Sequence, residues 1–237
     1  MNIDKYINKN KIFLILKSIS LMLLLLIWGY FIIIIFQIFG IKINNLPKNH
    51  KIIFQFMSDI TFIIFLLSIY KKDIIKDFKN YFNKKIFNNI ELSLKYWLVG
   101  VSIMYISNII ISLIIPNTIS TNETLVREMI NKYPIFMAFE LSIYAPITEE
   151  IIFRKSIREY CNNKYLYIIL TGLIFGGVHI ISSLTSPIYL LFLIPYSALG
   201  IALGALYYKS NNLFSTIVVH SIHNTISLIL LLTVGGI

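Results

Sequence analysis

The 237 residues include a single cysteine, Cys161, so no disulfide can form within the chain. Charge is also scarce. Asp, Glu, Lys and Arg together make up 14% of the residues, against about 25% in a soluble domain. Acidic residues are the rarer sign, 11 against 21 basic ones, for a net charge of +10. That surplus does not point to nucleic acid. It sits in short stretches between apolar runs, where it reports membrane topology, so no nucleic-acid partner is expected. No small-residue cleavage site follows the first apolar run, 12–39, and the run is too long for a signal peptide. It reads as a retained span. No internal repeat is visible. The richness in Ile, Lys and Asn carries no chemistry.

What remains is hydrophobic: 57% of the residues. The apolar blocks fall at 12–39, 52–70, 92–115, 134–153, 165–181, 187–208 and 213–234, most of them near the length of about 20 residues that crosses a bilayer as a helix. The expected fold is all-α, a polytopic transmembrane helix bundle of about seven spans (six to eight). It forms one integral membrane unit, with N-terminal spans and a basic loop in 1–133 and the chemistry in 134–237. One set of ends holds about fourteen Lys and Arg: Lys5, Lys9 and Lys11, six in the 71–91 loop (Lys84 and Lys85 among them), Arg154, Lys155, Arg158, Lys164 and Lys209. The other holds about five: Lys42, Lys48, Lys51, Arg127 and Lys132. This asymmetry puts the N-terminus in the cytoplasm and the C-terminus outside the plasma membrane. The basic, aromatic 71–91 loop reads either as a segment lying along the anionic inner leaflet or as a plain solvated loop.

Few ionisable residues lie inside the spans: Lys17, Asp59, Glu140, Glu149, Glu150, His179, His220 and His223. Each charge at the centre of a span costs roughly 2.5–3.5 kcal/mol on insertion scales, so such residues are functional candidates. In EEIIFR, 149–154, Glu150 and Arg154 are four apart with the acid first, the favoured order for a helical ion pair. Arg154 stands near the end of its span, where it can snorkel to water. Glu149 is turned away by about 100° and has no local cation. Burial without a cation raises a carboxylate's pKa, and a raised pKa near working pH suits a general base. The bland alternative, a salt-bridged helix end, explains Glu150 and leaves Glu149 without a reason.

Two further patterns follow. GLIFGGVHI puts Phe175 and His179 on one face, and Gly176-Gly177 admits a close neighbouring backbone. HSIHN puts His220 and Asn224 on one face with His223 beside it. An Asn amide can steady an oxyanion; the two histidines have a spacing that could also serve a metal. A polar seam joining helices is the alternative for both. Counted along ideal helices at about 1.5 Å per residue, Glu149 lies roughly 8 Å from Arg154, His220 roughly 10 Å from Leu213 and His179 roughly 20 Å from Tyr165. The third depth does not match the other two.

The ordered set EEIIFR, FGGVH and HSIHN resembles the CPBP family of intramembrane proteases. That family includes the type II CAAX prenyl endopeptidases and the bacterial Abi group linked to bacteriocin processing and self-immunity. The likeness covers roughly 134–234. It implies that Glu149 activates the attacking water, with Glu150 and Arg154 completing its motif. It implies that His179, after Phe175, holds the water or a metal, and that His220 and Asn224 form the third motif, Asn224 as oxyanion stabiliser. His223 stands outside the pattern. A Zn2+ ion held by His179, His220 and a glutamate could do part of the work, or the enzyme could be metal-independent. The expected partner is a peptide or protein with a hydrophobic or membrane-anchored segment, cut near the cytoplasmic leaflet in a hollow facing the cytosol. The rivals are a non-catalytic immunity or scaffold protein and a proton-coupled transporter. The missing repeat speaks against the transporter. Glu140, Asp59 and Lys17 have no assigned role at this level.

Overall fold

The computed structural model describes the backbone of residues 3–41, 43–83, 86–184 and 186–233. The side chains of Lys5, Lys9, Lys42, Lys84 and Lys85, used above to count charge, lie outside the described residues. Among the described residues every regular element is helical. The long helices are α1 (Ile3–Ile38), α2 (Lys48–Tyr81), α3 (Ile86–Ile114), α5 (134–158), α6 (Lys164–Ile180), α7 (Leu193–Ser210) and α8 (Leu213–Thr233), with a shorter α4 (Thr121–Lys132). Six of these, extended at their ends in places, are long and apolar enough to cross a membrane. The chain is an integral membrane protein of the all-α, polytopic kind. The seventh long helix, α5, carries the EEIIFR motif and is interrupted by two wider π turns, Glu140–Tyr144 and Glu150–Ser156.

Contacts between helices fix their directions. Rising numbers on α2 meet rising numbers on α5 (Phe56 with Phe139, Phe62 with Tyr144, Tyr70 with Glu159), so these two run parallel. Phe153 of α5 meets Phe175 of α6 while the Tyr167 hydroxyl donates to the Arg154 carbonyl, so α6 returns alongside. α6 and α7 cross very closely because glycines face one another. A methyl group on Gly172 would stand 2.9 Å from the Ile201 nitrogen, and one on Gly176 2.9 Å from the Ser197 nitrogen. Small residues are what allow membrane helices this approach. Gly177 does not share in it: nothing lies within 4 Å of where its methyl group would be.

The bundle therefore has two distinct ends. At the basic end Lys17 of α1 pairs with Glu159 at 2.9 Å and lies over the Tyr70 ring, and Lys155 pairs with Asp73 at 3.0 Å. There too α2 braces the start of α8. Asp77 accepts from the Leu213 N–H at 2.8 Å, while Asn212, the α8 cap, accepts from Ser215. These contacts explain why 71–81, expected as part of a loop, is helix. Asp77 and Tyr81 are buried, and Phe78, Tyr81 and Phe82 pack on Phe214. Helix α2 ends at Tyr81 and α3 opens at Ile86. At the other end lies α4, opened by Ser120, whose hydroxyl accepts from the Glu123 N–H at 3.1 Å. Ser120 and Glu123 have capping-box spacing, so the polar 116–132 connection holds a helix.

Candidate active site

The site is built on α5, and the first local cause is Pro146. It has no N–H to give to the preceding turn. The Ala145 N–H reaches back five residues to the Glu140 carbonyl, making the π turn. The carbonyls of Leu141 and Ser142 are thereby left without their usual helical donors. Both are taken by α8: Asn224 Nδ2 donates to Leu141 at 2.9 Å, and the Ser221 hydroxyl donates to Ser142. The Thr225 hydroxyl adds a bond to the Ser142 hydroxyl at 2.9 Å. A break in one helix thus becomes the dock for the next, and it brings the third motif against the first. Such π turns recur at functional sites.

The two adjacent glutamates part company. Glu150 and Arg154 are fully buried, with Nε to Oε2 3.2 Å, although the N–H is not aimed for a hydrogen bond. The guanidinium carbon lies 4.9 Å from the Phe175 ring centre, a cation–π distance. Arg154 does not snorkel to water as the sequence suggests, because Phe175 and Tyr167 cover it. Glu150's other oxygen, Oε1, lies 3.0 Å from His220 Nδ1. A carboxylate accepts, so Nδ1 carries the proton and the ring is held with Nε2 turned the other way. That leaves Nε2 facing Glu149 Oε2 at 4.0 Å. Glu149 lines the cavity; Glu150 stands behind His220 and does not reach it.

His179 joins them from α6. Its Nδ1 lies 2.8 Å from the Phe175 carbonyl, which can only accept, so Nδ1 donates and Nε2 keeps its lone pair. The imidazole is folded back one turn, as helical side chains lean toward the N-terminus. One turn is about 5.4 Å, only part of the depth mismatch counted along ideal helices. Phe175 is the hinge of the arrangement, 4.5 Å from the His179 ring and 5.7 Å from the His220 ring. Glu149, Phe175, His179, His220, His223 and Asn224 all line one cavity of about 640 Å³. Among the described residues no three His, Cys, Asp or Glu side chains gather as a metal-holding group. The Zn2+ set of His179, His220 and a glutamate is not gathered in this geometry.

The cavity's position sets two expectations against each other. Its lining comes from the α4-side halves of the helices: Met104 and Asn108 of α3, Leu141 to Glu149 of α5, and His220 to Leu231 of α8. It is sited toward α4, away from the basic end where α1 begins. A cytoplasmic N-terminus and a hollow facing the cytosol therefore exclude each other. The sequence reading missed this because it assigned each loop a side without asking which end the motifs face. It also missed Tyr196, which stacks on His179 with ring centres 5.1 Å apart; no motif marks it. Lys17 now has a partner in Glu159. Asp59, which accepts from Gln55 at 2.8 Å, faces Glu140 inside the bundle.

This geometry is matched by what the chain resembles. Residues 131–226 match the family described as Type II CAAX prenyl endopeptidase Rce1-like, and all seven motif residues lie inside that segment. The matched segment is the one that carries the ordered motifs, whose likeness is to the CAAX-type intramembrane proteases. Over 144 residues the chain is 27% identical to the UPF0177 protein YxdF of Lactococcus lactis subsp. lactis (strain IL1403), covering 58% of this chain and 77% of that protein. No solved structure matches the chain.

Proposed function

We propose that this protein is an endopeptidase that hydrolyses a peptide bond of a membrane-associated peptide or protein, with Glu149 as general base. The observation that carries the reading is the convergence of Glu149, His179 and His220 on one cavity inside the bundle, with the buried Glu150–Arg154 pair behind them. Glu149 takes a proton from a water that also donates to His179 Nε2. The hydroxide attacks the scissile carbonyl carbon. The second N–H of Asn224 stabilises the oxyanion, as does His220 Nε2 when the ring carries a second proton. Glu149 then returns its proton to the amine as the C–N bond breaks. Glu150 acts through His220, holding its ring and tautomer as second partners of functional histidines do.

The cavity's position toward α4, taken with the charge asymmetry, supports a reaction in the outer half of the membrane. Processing of a bacteriocin or a signal peptide, or self-immunity, fits a short substrate with a hydrophobic segment arriving there. The test is a comparison of peptides released by cells with the native protein and with Glu149→Gln. A product that disappears in the variant supports the reading. Identical peptide sets, with the phenotype intact, would leave a non-catalytic immunity or scaffold role. Metal content and activity after chelation decide whether Zn2+ takes part.

A further inference from the structure

Tyr196, on α7, touches both His179 and the start of α4. Its ring stacks on His179 with an interplanar angle of 27°, while Phe175 lies on the same imidazole at 30°. His179 is thus packed by both rings. The Tyr196 hydroxyl meanwhile meets the start of α4. It lies 2.7 Å from the Ser120 hydroxyl and accepts from Asn122 Nδ2 at 3.3 Å. Ser120 is the α4 cap, and the next residue, Thr121, donates its N–H to Ser183 at 3.0 Å. Ser120, Asn122, Glu123, Val126 and Arg127 all line the cavity, so α4 forms one of its walls. Further along, Ile130 is 1% exposed and packs beside Met137 and Leu228. A substrate that enters past α4 must disturb this seating.

We propose that Tyr196 is a positioning residue: its hydroxyl holds the start of α4 and its ring holds one face of His179, so that the imidazole is set for reaction only when α4 is seated over the cavity. The kinetic part rests on the protease reading; the structural part does not. A single rotatable side chain carries both contacts, so losing the hydroxyl loosens α4 and losing the ring frees His179 as well.

The experiment uses the full chain in nanodiscs with Cys161→Ser and Ile130→Cys, and three further changes in turn: Tyr196→Phe, Tyr196→Leu and Asn122→Ala. Thiol labelling at position 130 reads α4 seating, and 15N shifts of His179 read its tautomer. Labelling should rise at least fivefold in Tyr196→Phe and in Asn122→Ala. In Tyr196→Leu the single locked tautomer of His179 should also be lost. If Tyr196→Leu does not fold, the other two variants still decide the α4 half. Unchanged labelling in both Tyr196→Phe and Asn122→Ala overturns the proposal, as does an unchanged His179 spectrum in folded Tyr196→Leu. Where a cleaved peptide is in hand, kcat of Tyr196→Phe should fall about tenfold, the scale of a small misplacement, with KM altered less. Unchanged kcat and KM there would overturn the positioning role. The expected labelling and spectra in a protein that cleaves nothing would instead sink the protease reading and leave the positioning intact.

Discussion

Removing Arg154 probes the site without touching the cavity. The guanidinium and the Glu150 carboxylate are both fully buried, and among the described residues Arg154 is the only permanent cation paired with Glu150. Truncation to Met keeps much of the side-chain volume and leaves a buried carboxylate with His220 as its remaining partner. Breaking a buried ion pair by removing one member costs about 3–5 kcal/mol. At roughly 2–4 °C per kcal/mol for a chain of this size, Arg154→Met should unfold on the order of 10 °C below the native protein. Glu150→Gln should also be destabilised, because it strands the cation. The double variant Glu150→Gln with Arg154→Met should regain most of the loss, since neither charge is left alone. The assay is thermal unfolding of purified protein in one detergent, arranged as a double-mutant cycle. If Arg154→Met is as stable as the native protein, or the double variant loses the sum of the two single losses, the pair is not coupled and the role given to Glu150 fails.

Other outcomes follow from the same geometry. Gly176→Leu should cost about 1–3 kcal/mol through overpacking against Ser197, whereas Gly177→Leu should be close to neutral; thermal unfolding distinguishes them. Asn212→Ala removes the cap that accepts from Ser215 and should cost about 1 kcal/mol in the same assay. With Cys161→Ser, a cysteine at Asn122 should react with a membrane-impermeant thiol reagent in intact cells, and one at Lys209 only after permeabilisation. The opposite pattern would place the cavity on the cytosolic side and the N-terminus outside.

The sequence carried the division between the two glutamates, because the four-residue step from Glu150 to Arg154 and the absence of a cation for Glu149 are local facts. The helical class and most span boundaries were equally local. What it hid came from contacts between distant segments. The extension of α2 to Tyr81 depends on burial of Asp77 and Tyr81 against α8. The π turns depend on Pro146 together with the α8 side chains that take up the freed carbonyls; ideal spacing assumes 3.6 residues per turn and cannot show them. The α4 helix had a visible cue in Ser120 and Glu123 that a reading based on polarity alone passes over. Tyr196 had none, since its two contacts lie on α4 and α6.

The central claim is that Glu149 activates water for peptide cleavage in the α4-side cavity. The most direct measurement is cleavage of a candidate peptide in purified membranes, comparing the native protein with Glu149→Gln at matched expression and thermal stability. The account predicts that hydrolysis falls to background in the variant while folding is kept. Hydrolysis at the native rate by a folded Glu149→Gln protein would contradict it.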